Sequence, residues 1–201
     1  MIKLGFLASN NGSAMRAVIA AIESGELVAR TVLVASNRAK APALQFAREH
    51  GVPTLVVPTA ADPEGADARL ARAFRDAGAD WIVLSGYLRR VGPKMLAAFP
   101  GRMLNVHPAL LPAFGGQGMY GRRVHEAVAA ARPTHTGATV HLVDDEYDHG
   151  PALMRVEIPL GSGDTAQTIE AKVMAAEPRL MVDTLKAIAS GAPVGAMQNF
   201  R

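Results

Sequence analysis

Through its first half the chain alternates short apolar runs with amphipathic helical patterns, and this alternation constrains the fold more than any other feature. Lys3–Ala8 reads as a strand and Ala14–Ser24 (AMRAVIAAIES) as a helix. Thr31–Ala35 (TVLVA) is a second strand, followed by a helix over Pro42–His50 that Gly51 ends. Thr54–Val57, Trp81–Leu84 and Arg102–Val106 are further strands, with helices over Ala66–Ala77 and Pro93–Phe99 between them. Such an order predicts an α/β fold, a mostly parallel sheet with helices on both faces. The second half changes character. A Gly- and Pro-rich loop, Pro108–Gly118, leads to a helix through about Ala131. Ala138–Val143 and Leu153–Ile158 read as two strands joined by the acidic segment Asp144–Gly150. Gln167–Ser190 reads as a long closing helix that Pro178 is expected to kink or break, and the tail Gly191–Arg201 shows no pattern.

A chain of 201 residues fits one large domain with a real core, and no linker or repeat divides it. Hydrophobic residues at 49% and charged residues at 19% describe a globular protein rather than a disordered one. A net charge of +3 is too small and too dispersed to argue for nucleic acid, and it suits small anionic substrates. No run reaches the ~18 apolar residues of a membrane span. The absence of cysteine excludes disulfides and thiolate zinc sites, which makes the cytoplasm the expected location.

The segment most loaded with chemistry is Leu104-Asn105-Val106-His107-Pro108-Ala109-Leu110-Leu111-Pro112. In an extended chain Asn105 and His107 share a face while Val106 points the other way. One is a hydrogen-bond donor that does not titrate, and the other carries a proton near neutral pH. The pair suits acyl or formyl transfer, where an oxyanion and a mobile proton arise at one carbon. A lone histidine in a loop is as readily structural, and the stiff Pro108…Pro112 frame favours a positioned acid or base.

Other segments leave alternatives open. Ser9-Asn10-Asn11-Gly12-Ser13-Ala14 joins the first strand to the first helix and is either an ordinary Ser-capped turn or a phosphate site on free N–H groups. It carries neither a dinucleotide fingerprint nor a Walker loop. Asp144-Asp145-Glu146-Tyr147-Asp148-His149-Gly150 is either a solvated hairpin tip or a source of a carboxylate that holds His107 protonated. A metal held by Asp148, His149 and His141 is a weaker alternative, since the spacing matches no closed-site pattern. Gly115–Gly121 has the flexibility of a lid, Arg122 and Arg123 are either anion ligands or solvated, and Gly86–Pro93 follows a strand end where parallel sheets bind ligands.

Together these segments resemble the phosphoribosylglycinamide formyltransferases, the folate-dependent transformylases of purine synthesis, over nearly the whole chain. The most specific blocks are Asn105-x-His107-Pro108-x-Leu110-Leu111-Pro112, Gly137-Ala138-Thr139-Val140-His141 and Asp148-x-Gly150-Pro151, in that order. The resemblance implies a single Rossmann-like formyltransferase domain over 1–201, with a phosphate-binding half about 1–100 and a folate and catalytic half about 101–201. It also implies an antiparallel C-terminal strand pair and a long C-terminal helix. Asn105, His107 and Asp148 carry over as the catalytic trio. The substrate phosphate is expected on the backbone of Gly12, Ser13 and Ala14, with Glu177 on the ribose hydroxyls. 10-Formyltetrahydrofolate, the co-substrate, is expected against Leu88, Arg89, Arg90, Val91, Asn105 and Asp144, with no metal. Expected partners are small molecules, not nucleic acid or membrane, for a monomer or homodimer. The tRNA formyltransferases and formyltetrahydrofolate deformylases carry extra domains that do not fit this length. Gln117 stands where relatives have Lys, and Arg122-Arg123 where they often have His-His. A formyl-folate hydrolase, or a transferase for another amino-nucleotide, is the alternative reading.

Overall fold

The computed structural model describes residues 1–192 and 199–200, which form two compact units, Met1–Asn105 and Val106–Arg201. The first unit runs β1 (Ile2–Leu7), α1 (Ser13–Glu23), β2 (Ala29–Ser36), α2 (Pro42–Glu49), β3 (Thr54–Val56), α3 (Pro63–Asp76), β4 (Trp81–Leu84), α4 (Pro93–Ala98) and the start of β5 (Met103–His107). Its strands lie in the order β3-β2-β1-β4-β5, and every neighbouring pair is parallel. Strand β4, Trp-Ile-Val-Leu, is buried along its whole length, as expected where helices cover both faces. Leu4, Phe6, Val34, Ile82, Val83 and Leu104 are fully buried and form the centre of this core.

Strand order reverses at β1, which pairs with β2 on one side and β4 on the other. Such a switch point opens a crevice outside the carboxyl ends of the strands. The loops after β1 and β4 both leave from that edge. Buried Ser9 ties them together: its hydroxyl accepts from the Leu88 N–H at 2.9 Å and donates to Asn37 Oδ1 at 2.7 Å.

The second unit contains α5 (Arg122–Ala131), β6 (His135–Leu142), β7 (Ala152–Pro159), α6 (Ala166–Ala189) and β8 (Asn199–Phe200). Strands β6 and β7 pair antiparallel, with an irregularity between Val140 and His141, and β7 pairs parallel with β8. Gly137 is needed on β6 because a Cβ there would collide with the Val156 carbonyl and lie 2.7 Å from Leu110 Cδ2.

Three differences from the sequence expectation have a clear physical origin. Helix α3 begins at Pro63 rather than Ala66, because the Asp62 side chain accepts from the Gly65 N–H and Pro63 occupies the first turn. Strand β5 continues to His107, so this histidine ends a strand instead of opening a loop. Helix α6 runs unbroken through Pro178. The proline leaves the Met174 carbonyl without its helical donor, yet Leu180, Met181, Val182 and Leu185 anchor the following turns in the core. Of the featureless tail, Asn199–Phe200 adds a short strand, and 193–198 and 201 lie outside the described residues.

Candidate active site

The loop leaving β5 is shaped by Thr139 of β6. Its fully buried hydroxyl donates to the Ala109 carbonyl at 2.7 Å and accepts from the Leu111 N–H at 3.1 Å. One side chain thus satisfies two loop groups that would otherwise be orphaned. The peptide bond between Leu111 and Pro112 is cis. Asn105 and His107 occupy alternate positions of β5 with Val106 between them, and His107 is 3% exposed.

His107 is bounded by two oxygen acceptors. Its Nδ1 lies 3.3 Å from Asp148 Oδ2, and its Nε2 lies 2.8 Å from the Phe114 carbonyl. A ring protonated on both nitrogens satisfies both. The same carboxylate meets a second imidazole: His141 Nε2 is 3.5 Å from Asp148 Oδ1, while His141 Nδ1 is 2.9 Å from the Leu142 carbonyl. The Gly116 N–H donates to Asp148 Oδ2 at 3.0 Å. Burial alone would raise the Asp148 carboxyl, but the hydrogen bonds from His107, His141 and Gly116 hold it far below the usual carboxylate range. It therefore stays ionised, a fixed negative charge between two imidazoles.

Backbone conformation supports that placement. Asp148 and Phe114 both adopt φ 57°, left-handed for residues with a Cβ, and such strain persists only where surroundings enforce it. Gly115 packs against Leu111 and Asp148, since a Cβ there would collide with Leu111 Cδ2 and approach Asp148 Cβ to 3.3 Å.

Two further titratable groups lie in the electrostatic range of His107. Burial pushes the half-buried Glu177 carboxyl up to about 7, against the lowering pull of His107. His125, on α5 and 3% exposed, is pushed below its ordinary value by burial, with Glu170 opposing and His107 reinforcing the shift. Its Nδ1 has no hydrogen-bond partner among the described residues. Sequence reasoning passed over His125 and gave His141 only a metal role; burial of a histidine is not legible from residue type.

The remaining expected residues occupy several settings. Asp144 accepts from the Glu146 N–H at 3.0 Å and lies 3.4 Å from His149 Nδ1, as a turn cap does. His149 is thereby turned to Asp144 rather than to Asp148 and His141, and the described residues hold no group of three or more metal-ligating side chains. At the first loop, Gly12 precedes α1 at φ 67° with no side-chain cap. The Met15 N–H is taken by buried Ser85 Oγ at 3.0 Å, whereas the amides of Gly12, Ser13 and Ala14 have no acceptor among the described residues. Three N–H groups at a helix N-terminus form an anion-binding geometry. Beyond β4, Leu88, Arg89 and Arg90 are exposed, but Val91 is 8% exposed and packs inward, so only its backbone is available to a ligand. Arg122 pairs with Glu126 at 3.5 Å, and Arg123 lies over the Tyr120 ring at 5.2 Å.

Residues 2–185 match the formyl transferase family. The chain belongs to that family. It is 38% identical over 190 residues to the phosphoribosylglycinamide formyltransferase of Mycobacterium tuberculosis (strain ATCC 25618 / H37Rv), a match covering 94% of this chain and 85% of that one. It is 35% identical over 188 residues to the chloroplastic phosphoribosylglycinamide formyltransferase of Vigna unguiculata, covering 92% of this chain and 60% of the plant protein. The chain thus spans less than two thirds of the length of the plant relatives. The crystal structure of glycinamide ribonucleotide transformylase 1 from Symbiobacterium toebii superposes with a TM-score of 0.88 at 35% identity, covering 95% of this chain and 89% of that chain. The mostly parallel sheet, antiparallel strand pair and long final helix of this formyl transferase family member are the family's fold.

Proposed function

We propose that this chain transfers the formyl group of 10-formyltetrahydrofolate to the amine of 5-phosphoribosylglycinamide, a step of de novo purine synthesis. The observation that carries the reading is the ionised Asp148 set against the buried His107 ring, the acid/base unit that formyl transfer needs. Likeness to relatives named for this activity supports the choice of substrates.

The amine attacks the formyl carbon and gives a tetrahedral oxyanion. Asn105 donates its side-chain N–H to that oxygen, an interaction worth about 3 kcal/mol. His107, its Nε2 released from the Phe114 carbonyl, stabilises the same charge and delivers a proton to N10 as the carbon–N10 bond breaks, and the proton lost by the amine restores His107. Asp148 holds the His107 ring in place through Nδ1 and sets a negative charge beside it. The attacking amine must be neutral, so activity falls at low pH. The folate supplies the carbon, and no metal enters any step.

In this reading Gly12, Ser13 and Ala14 bind the phosphate through their amides, and Glu177 accepts from the ribose hydroxyls. Leu88, Arg89, Arg90 and the Val91 backbone, with Asn105 and Asp144, receive the folate. We read the chain as one formyltransferase domain, with Gly12, Ser13 and Ala14 in the first unit and His107 and Asp148 in the second. No helix of the described residues is long and apolar enough to cross a membrane, and we place the reaction in the cytoplasm with a monomer or homodimer.

The test is 10-formyltetrahydrofolate turnover with and without the ribonucleotide. Formylated ribonucleotide as sole product supports the transferase. Formate released without acceptor makes the chain a hydrolase, and turnover only with a different amino-nucleotide reassigns the acceptor.

A further inference from the structure

The first unit has a second concavity, at the amino ends of its strands and so at the edge opposite the loops after β1 and β4. It has a volume of about 360 Å³, within the size range of small-molecule pockets. Ile19, Ile22, Val32, Val52 and Pro53 give it an apolar body, and Lys3, Arg30, Glu23 and His50 stand around it.

Its charges are unequal. Glu23 is already engaged, with Oε1 2.7 Å from His50 Nδ1. Helices α1, α2 and α3 end here with their negative dipole ends, but their terminal carbonyls are capped: Gly25 donates to Ile22 and Leu27 to Ala21, Gly51 to Arg48 and Val52 to Ala47, and Gly78 to Arg75 and Ala79 to Phe74. The side-chain cations of Lys3 and Arg30 have no carboxylate partner among the described residues. The Thr31 hydroxyl, in the cleft wall, is buried without a hydrogen bond, an unsatisfied group that costs free energy. Rotation about its χ1 exchanges hydroxyl and methyl, so a ligand can supply the missing partner. The β1–β2 register shifts between Leu4 and Gly5, beside the Leu4–Thr31 pair, an irregularity of the kind that re-aims side chains.

We propose that this cleft is a second ligand site, for a small organic anion with an apolar or aromatic body, whose charged group meets Lys3 and Arg30 and whose body packs on Ile19, Ile22, Val32 and Pro53. The site is separate from the residues assigned to formyl transfer and stands whether or not that assignment holds.

The experiment is amide chemical-shift mapping on the full chain with phenyl phosphate, benzoate, benzyl alcohol and inorganic phosphate as probes. Saturable shifts at Ala29–Val32 and Gly51–Val52 with phenyl phosphate or benzoate support the site, and the stronger of the two tells a phosphate from a carboxylate ligand. Lys3→Gln with Arg30→Gln, both at exposed positions, should weaken binding by about tenfold or more while the spectrum remains that of the folded chain. Thr31→Val should weaken it severalfold. Equal binding of benzyl alcohol, unchanged affinity in the double variant, or shifts confined to Gly12–Ala14 would each overturn the proposal.

Discussion

The loop after β1 and the loop after β5 present polar groups at strand ends in opposite ways. The first offers backbone: the amides of Gly12, Ser13 and Ala14, with no side-chain cap. The second packs against a network of buried side chains, His107 at the end of β5, His141 on β6 and Asp148 between β6 and β7, in which each polar atom has a named partner. A backbone site tolerates substitution, because every residue but proline has an N–H. A buried side-chain network does not, because removing one member strands the others without water to replace it. Sequence change should therefore be mild at Ser13 and Ala14 of the first loop and severe at the second, while Gly12 is fixed by its φ of 67°, which strains any residue with a Cβ.

The sharpest break of that contrast is His107→Ala or Asp148→Asn. Each should lower kcat by about 10²–10⁴-fold, with the far-ultraviolet circular dichroism unchanged. Near-native turnover of either variant would sink the acid/base assignment. Asp148→Asn should also alter acid stability. The native carboxyl is held below its ordinary value of 3.8, so its contribution is full above that value and lost as pH falls further. The variant should show a shallower loss in acid urea titrations. Asn105→Asp follows at about 10²–10³-fold in kcat, since a carboxylate repels the oxyanion that the amide stabilises.

His107 is legible because strand alternation and a short motif place it beside Asn105, whereas Asp148 comes only from the family resemblance, since Asp144–Gly150 offers several carboxylates. Other features depended on packing that no local pattern records. His141 enters the sequence reading only as a metal ligand beside Asp148 and His149, because no local pattern records that it is buried against the Asp148 carboxylate. Ser85 accepts from the Met15 N–H in the first turn of α1, seventy residues away, and nothing in Ser85-Gly86 announces it. Pro178 obeys the local rule against helix only until the buried face of α6 outweighs it. The early start of α3 at Asp62-Pro63 was readable and missed, since an Asn/Asp/Ser/Thr cap followed by proline is a start signal in itself.

His141→Gln sharpens the network side. The second imidazole touches Asp148 and no proposed substrate, so it is a positioning residue. Its loss should reduce kcat by about tenfold and raise the acidic limb of the pH–rate profile, because Asp148 becomes easier to protonate. A purely structural role would lower the thermal midpoint and leave that limb where it was.

Glu177→Gln tests the group between the two extremes. Its carboxyl lies at about 7 in the folded chain against an ordinary 4.5. Between those values the folded chain holds a proton that the unfolded chain releases, so stability falls as pH rises through the window. The variant should flatten that slope in denaturation curves. It should also raise KM for the ribonucleotide about tenfold, with folate KM and kcat little changed. A change confined to folate affinity would remove Glu177 from the ribose.

The smallest effect belongs to the backbone loop. Ser85→Ala deprives the Met15 N–H of its acceptor and should cost about 1–2 kcal/mol in urea unfolding, since a buried donor is left unmatched. Catalysis should barely respond. The Gly12, Ser13 and Ala14 amides that face the phosphate do not depend on Ser85 for their direction, because the φ of 67° at Gly12 and the start of α1 set it. The ribonucleotide KM should stay within about twofold. A KM rise matching that of Glu177→Gln would mean that the cap holds the phosphate turn in place. The two loops would then be equally sensitive to their side chains, and the contrast between them would be lost.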